Sequence, residues 1–173
     1  MKELSVVICT HDPRQDHLER TLASLMAQTL PQEHWELLVV DNASSAPVSE
    51  KHDLSWHRHG RHVVEPKLGL TMARIRWIAE TTTEVILFVD DDNVLATNYL
   101  TNVLDIMHRE RQLGVIGAGR LEPEFEETPD PELVPFLPML ALRTVPDSHW
   151  SNDPQDKHIP WGAGMAVTRT VAD

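Results

Sequence analysis

Cysteine is almost absent from this sequence of 173 residues. The single residue, Cys9, can neither form an internal disulfide nor complete a cysteine zinc site, so we expect it to be a small buried core residue. No run of about 18 apolar residues occurs, which predicts that the chain does not span a membrane. The apolar run starting at Leu4 is too short and too β-branched for a signal peptide. We therefore expect this chain in the cytoplasm, where a longer protein could place it at the cytoplasmic face of a membrane.

Positive charge is also scarce, because 15 Lys and Arg face 27 Asp and Glu, for a formal net charge of −12. This balance disfavours a nucleic-acid partner, since phosphate binding needs a basic face. The charges are unevenly distributed, with bases concentrated between Arg58 and Arg76 and a run of acids between Glu122 and Glu132. A small anionic ligand would need those arginines or a metal ion to overcome the repulsion.

The first half of the chain alternates between strand-like and helix-like patterns. Apolar runs typical of buried strands cover residues 4–9, 35–40, 62–65 and 84–89. Helical spacing of apolar residues covers 14–28, 68–79 and 97–111, with Tyr99, Val103 and Met107 on one helix face. We predict an α/β fold with a Rossmann-like, mostly parallel sheet and helices on both faces.

A change in composition divides the predicted single domain, residues 1–173, into three parts. Residues 1–121 would form the βαβ core. Eight of the 12 prolines lie between Pro123 and Pro160 among acidic residues, so we predict a long loop region over 122–160. Loops of this length in compact domains are usually functional. A last strand is expected over 161–167, within the closing segment 161–173.

Polar residues follow three of the predicted strands, as Thr10-His11-Asp12, Asp41-Asn42 and Asp90-Asp91-Asp92. The carboxyl ends of parallel strands border the crevice where open sheets bind ligands, so we expect these residues to share one crevice. Capping of the following turns is an equally good interpretation of Asp12 and Asn42.

Capping explains three consecutive carboxylates poorly, because like charges so close repel one another unless a cation compensates. Oxygen ligands suit Mg²⁺ and Mn²⁺. Side chains alternate along extended backbone, so Asp90 and Asp92 are the predicted metal ligands.

Five segments together resemble family 2 glycosyltransferases, which have the GT-A fold. They are VVICTH (6–11), LVVDNAS (38–44), LGLTMAR (68–74), LFVDDDN (87–93) and WGAGM (161–165). The resemblance implies metal-dependent, inverting transfer of a sugar from a nucleotide diphosphate donor, commonly a UDP-sugar, to an acceptor hydroxyl. It also implies a role in polysaccharide biosynthesis, with a glycan, lipid-linked or protein acceptor left open.

By position in these motifs, the resemblance implies nucleotide-binding roles for Thr10, His11, Asp41, Asn42, Ser44, Gly69, Arg74, Asp90 and Asp91. It assigns Mn²⁺ or Mg²⁺ to Asp90 and Asp92. The loop formed by Trp161, Gly162, Ala163 and Gly164 would wall the donor sugar and begin the acceptor side. The family's catalytic base follows that loop, so we expect it beyond Asp173 and interpret this chain as a donor domain truncated before its base.

Three other interpretations remain open at this stage. The run from Asp90 to Leu95 also fits a phosphatase of the haloacid dehalogenase type, with Asp90 as nucleophile and Asp92 as general acid and base. A dinucleotide-binding domain fits less well, because Gly117-Ala118-Gly119 lacks a third glycine. A non-catalytic module is the third, in which the acidic segment from Glu122 to Glu132 binds a protein partner.

A histidine-rich stretch, residues 57–62, could in principle bind zinc or nickel through His57, His59 and His62. Interleaved arginines would repel a metal, and no cysteine or nearby acid completes the set. We therefore predict that this stretch is a solvated loop.

Overall fold

The computed structural model describes residues 2–140, 142–145 and 147–172. Its strands are β1 (Leu4–Thr10), β2 (Trp35–Asn42), β3 (Gly60–Glu65), β4 (Val85–Val89), β5 (Val115–Ile116), β6 (Arg120–Leu121), β7 (Arg143–Thr144) and β8 (Met165–Thr168). Six of them form one sheet in the order β3-β2-β1-β4-β8-β5, and β6 pairs with β7 separately. Strands β1 to β4 are parallel, whereas β8 runs antiparallel to both of its neighbours.

Helices α1 (Gln15–Met26), α2 (Leu70–Glu80), α3 (Tyr99–Arg109) and α4 (Arg169–Ala172) complete the fold. Buried residues of α1 and α3, such as Leu18 and Val103, pack with one set of strand side chains. Ala73 and Trp77 of α2 pack with the alternate set, which includes Val7 and Leu38. Successive side chains of a strand point to opposite faces, so helices cover both faces of the sheet, as predicted.

Several element ends differ from the predicted ones by a few residues. Strands β1 and β2 continue to Thr10 and Asn42, because the parallel pairing still holds at Thr10 and Asp41. Helix α2 begins only at Leu70, because Gly69 has φ 136° and lies outside helical geometry. Strand β8 begins at Met165, after a turn in which Gly164 has φ 69°.

The described residues of the proline-rich region are largely irregular, with a 3-10 helix at Val134–Met139 and strand β7. Ion pairs connect the region to α1 and the residue before it. Arg14 pairs with Glu126 at 2.5 Å, and Arg20 pairs with Glu124. Such exposed pairs stabilise a fold little, so they orient this segment more than they stabilise it.

The prediction of a solvated loop at residues 57–62 is wrong. His57 is only 2% exposed, and its ring lies 4.0 Å from that of Trp35, between centroids. His59 and His62 are half-buried. The aromatic contacts supply enough apolar burial to draw a histidine inside, and that burial lowers the pKa of His57 to about 4.

Cys9 is half-buried and packs against the α2 side of the core, so its predicted core position is confirmed only in part. Burial raises the pKa of its thiol to about 11. In the part of the chain that the structure describes, no helix combines the length and the apolarity needed to cross a bilayer.

Candidate active site

The carboxyl ends of β1, β2 and β4 border one crevice, where direct contacts join the three polar segments. Thr10 lies beside Asp41 in the β1–β2 register, and its hydroxyl donates a hydrogen bond to Asp91 after β4. The His11 ring donates from Nδ1 to the Asn42 carbonyl at 2.9 Å. The structure therefore brings these strand-end residues together, as the sequence predicts.

Asp41 and Asn42 fasten the loops that form the crevice wall. The Asp41 carboxylate accepts backbone N–H bonds from Ser44 and Val48, both at 3.0 Å. The Asn42 amide donates to the carbonyls of Glu65 and Lys67 and accepts the N–H of Gly69 at 2.8 Å. Both residues are 4% exposed. These contacts match the capping interpretation of Asn42 and extend it to Asp41.

Two residues that are not glycine have left-handed backbone, and each follows a strand that ends at the crevice. Asp12 has φ 46° and Ala43 has φ 58°. Asp12 is stabilised there by bonds to Ser45, whose N–H and hydroxyl both lie 2.8 Å from Asp12 Oδ1. Strained backbone of this kind is concentrated at ligand sites, because surrounding contacts must hold it. A cavity of about 170 Å³ opens beside these turns, between Asp12, Ser45 and His52.

The three carboxylates after β4 have different surroundings. Asp91 is half-buried and accepts the Thr10 hydrogen bond, whereas Asp90 and Asp92 are exposed to the crevice. Surrounding protein atoms, and then the charges of Asp92 and Asp91, raise the pKa of Asp90, so its ionised form lacks compensation. Asn93 donates its side-chain amide to Asp92 Oδ1 at 3.1 Å, and both carboxylates of the predicted pair are exposed. Two carboxylates are the usual protein contribution to a Mg²⁺ site that substrate phosphates complete, so these residues fit such an ion.

Arg74 of α2 supplies positive charge to the same crevice. Its charge opposes the upward shift in the pKa of Asp90, and its guanidinium lies 5.7 Å from the centroid of the Phe88 ring. A Cβ placed on Gly162 would be 3.7 Å from Arg74 Nη2, so the loop after residue 160 passes close to this arginine. Arg76, two residues further along α2, pairs with Glu80 at 2.9 Å and has a structural role instead.

The loop from Trp161 to Gly164 is held by a hydrogen bond from Tyr99, whose spacing predicted only a position on the apolar face of α3. Tyr99 donates its hydroxyl to the Gly164 carbonyl at 2.5 Å. A Cβ on Gly164 would lie 2.7 Å from that hydroxyl oxygen, so glycine is required by contact as well as by its φ. The helical spacing of Tyr99 does not predict this hydrogen bond, because the bond depends on the pairing of β8 with β4.

Comparison with known families gives a single assignment. The glycosyl transferase family 2 description matches residues 5–162. The chain belongs to this family. Among solved structures, S. aureus TarS 1-349 superposes with a TM-score of 0.62 at 19% identity, over 74% of this chain and 38% of that one. The match covers most of the chain, so the glycosyltransferase assignment replaces the phosphatase interpretation.

Other solved structures share the fold. A mannosyltransferase from Pyrobaculum calidifontis, in complex with GDP-Man and Mn²⁺, superposes with a TM-score of 0.62 at 20% identity, over 69% of this chain and 36% of that one. TarS in complex with UDP-GlcNAc superposes at 0.60, over 74% of this chain and 37% of that one. This chain therefore spans less than two fifths of these enzymes. No curated protein matches the sequence.

Proposed function

We propose that this chain is the donor-binding domain of an inverting, metal-dependent glycosyltransferase that uses a UDP-sugar. The observation that carries the proposal is the pair of exposed carboxylates, Asp90 and Asp92, at the crevice beside Arg74. A diphosphate brings phosphate oxygens that complete a metal site and negative charge that an arginine binds. Family membership and the shared fold support the same chemistry.

The nucleoside part of the donor lies, in this proposal, along the ends of β1 and β2. His11 and Ser44 present polar groups at this surface, and the buried Thr10 hydroxyl holds Asp91. The contacts of Asp41 and Asn42 keep the walls of the surface in place. Gly69 and Asp91 complete the surface near Arg74. Holding the walls before the donor arrives reduces the ordering cost of binding.

A divalent cation held by Asp90 and Asp92 would neutralise the charge that develops on the departing diphosphate. Arg74 binds the same leaving group from the α2 side. The loop of Trp161, Gly162, Ala163 and Gly164 borders the donor sugar and begins the acceptor side. These residues position the donor and stabilise the leaving group, but none of them removes the acceptor proton.

Residues 165–172, which follow the loop, contain no Asp or Glu. We propose that residues 165–172 therefore do not supply the catalytic base, and that transfer without a positioned base is about 10²- to 10⁴-fold slower than transfer with one. The acceptor is a glycan, a lipid-linked sugar or a protein hydroxyl, and a cytoplasmic location suits a nucleotide-sugar donor.

The test is the melting temperature of the chain with UDP, GDP or no nucleotide, each with and without Mn²⁺. A ligand at 100 times its Kd adds about 2.7 kcal/mol, which corresponds to roughly 5–10 °C for a domain of this size. We expect the shift with UDP only when Mn²⁺ is present, because the cation joins the carboxylates to the diphosphate. One of the similar structures contains GDP-Man. A shift with GDP and none with UDP would therefore identify GDP as the nucleotide of the donor.

Asp92→Asn should abolish the Mn²⁺-dependent shift, since it removes one carboxylate charge with little change in shape. Asp105→Asn is the matched control, because Asp105 is exposed on α3 outside the crevice. Failure of both nucleotides to stabilise the wild-type chain, with or without Mn²⁺, would refute donor binding by this chain.

A further inference from the structure

Three side chains that could bind a metal lie together in the proline-rich region, and none of them belongs to the strand ends that border the crevice. They are His149, Asp156 and His158. One ligand atom from each lies within 4.8 Å of the others. His149 Nε2 lies 2.7 Å from Asp156 Oδ2, and His158 Nδ1 lies 3.3 Å from Asp156 Oδ1. The two imidazole rings are 4.5 Å apart, between centroids. One carboxylate is thus flanked by two imidazoles, whose residues are only nine positions apart in the chain.

His158 has a polar atom that the protein leaves unsatisfied. Its Nδ1 is buried without a hydrogen-bond partner, although Asp156 Oδ1 is 3.3 Å away. That oxygen already accepts the backbone N–H of His158 at 2.7 Å. If Nδ1 carries no proton, two lone pairs face each other, and a buried polar atom without a partner costs about 1–3 kcal/mol. A cation bound by both atoms removes the repulsion and satisfies the nitrogen.

We propose that His149, Asp156 and His158 form a second cation site, selective for Zn²⁺ or a similar borderline metal. Two imidazole nitrogens and one carboxylate oxygen are the ligand set of three-ligand zinc sites, whereas Mg²⁺ and Mn²⁺ prefer oxygen alone. A metal needs the lone pair of His149 Nε2, so the proton of a neutral ring moves through solvent from Nε2 to Nδ1, and a doubly protonated ring releases its Nε2 proton to solvent and keeps the one on Nδ1. Ligand atoms of a tetrahedral zinc site are about 3.3 Å apart, so small side-chain rotations suffice.

This site differs in chemistry and position from the proposed donor metal. Asp90 and Asp92 offer only oxygen and need a diphosphate to complete their coordination. The histidine site needs no nucleotide, and its ligands belong to one short segment before the Trp161 loop. A cation joining residues 149 and 158 closes a loop in a region with little regular structure, which reduces the freedom of its unfolded form. The expected consequence is an ordered segment next to the acceptor-side loop.

The experiment is titration of the metal-free chain with Co²⁺ and no nucleotide, followed by displacement with Zn²⁺. Visible absorption of Co²⁺ reports nitrogen coordination of low symmetry, and Zn²⁺ should remove the signal at one equivalent. Asp156→Asn and His158→Gln should each weaken Co²⁺ binding by about tenfold or more, because each removes one of three ligands. Limited proteolysis should show Zn²⁺ protection of residues 122–160 in the wild type and none in Asp156→Asn.

Two control variants test whether Co²⁺ binds at the proposed site and not elsewhere on the chain. Asp153→Asn changes a carboxylate of the same segment that accepts the N–H of Gln155 at 2.9 Å, and it should bind Co²⁺ as the wild type does. Asp92→Asn should also bind normally, which separates this site from the proposed donor site. Equal binding by the wild type, Asp156→Asn and His158→Gln would overturn the inference, as would loss of the signal only in Asp92→Asn.

Discussion

Replacing Gly164 by alanine should destabilise the protein and loosen the loop at the proposed donor site. Gly164 has φ 69°, and a Cβ there would lie 2.7 Å from the Tyr99 hydroxyl and 3.3 Å from the carbon that bears it. Tyr99 is the first residue of α3, and its hydroxyl donates a hydrogen bond to the Gly164 carbonyl. The side chain therefore cannot move aside without losing that bond. The substitution therefore combines backbone strain with overpacking.

The two contributions can be worked separately. Left-handed backbone costs an ordinary L-residue about 1–2 kcal/mol. Overpacking of a fixed site costs about 1–3 kcal/mol, so Gly164→Ala should lower the free energy of unfolding by about 2–5 kcal/mol. Tyr99→Phe removes the hydroxyl alone and should cost about 1 kcal/mol, from the lost hydrogen bond.

The double variant distinguishes these contributions. Once Tyr99→Phe has removed the oxygen at 2.7 Å, an alanine at Gly164 retains the backbone strain but loses most of the clash. We expect the double variant to be at least about 1 kcal/mol more stable than the sum of the single effects predicts. Urea unfolding of the four proteins gives these values, and UDP binding with Mn²⁺ reports whether the loop still serves the donor.

Additive effects, within about 0.5 kcal/mol, would refute the reasoning, because residues without a shared contact add in this way. Gly162→Ala is the control, since its added Cβ would make only an ordinary contact, 3.7 Å from Arg74 Nη2.

Two further predictions concern buried polar residues. The pKa of His57 is lowered from 6.5 to about 4 by burial, so the unfolded chain binds a proton in this window and the folded chain does not. The free energy of unfolding should therefore fall by up to about 3 kcal/mol as the pH decreases from 6.5 to 4. Urea unfolding at several pH values should show that this free energy depends less steeply on pH in His57→Gln than in the wild type. The exposed His108→Gln is the control and should behave as the wild type does. Asn42→Ala should lower the free energy of unfolding by about 2–4 kcal/mol, because it leaves the Gly69 N–H and two carbonyls unpaired, and it should weaken UDP binding. The control is Asn102→Ala, at an exposed position. An equal loss of stability in both variants would contradict the argument.

Much of the fold follows from local pattern. The apolar runs at β1, β2 and β4 are short, continuous and followed by polar residues, which is what parallel strands buried on both faces require. Parallel strands also fix where their polar ends meet, so the grouping of Thr10, Asp41 and Asp91 was predictable. Gly69 was predictable as a motif residue, but its φ of 136° and its bond to Asn42 were not.

Contacts between segments that are distant in the sequence cannot be predicted from local patterns in the same way. The differences of one or two residues at helix ends arise from individual backbone angles and hydrogen bonds. The solvated interpretation of residues 57–62 failed because the polarity of histidine predicts exposure, while the neighbouring Trp35 and Trp56 make burial favourable. The cation site inferred at His149, Asp156 and His158 likewise depends on a turn that brings two imidazoles to one carboxylate.

The sequence by itself determined the α/β architecture, the family and the acidic crevice, because periodicity and motif order are properties of the chain that survive without coordinates. Only the tertiary structure decided which side chains hold one another and which are exposed. It engages Asp91 with Thr10, Asp41 with the Ser44 and Val48 amides, and Tyr99 with Gly164, and it leaves Asp90 and Asp92 facing the crevice. The physical reason is that a polar group's role depends on which partners burial brings within hydrogen-bond distance, and those partners lie far away in sequence.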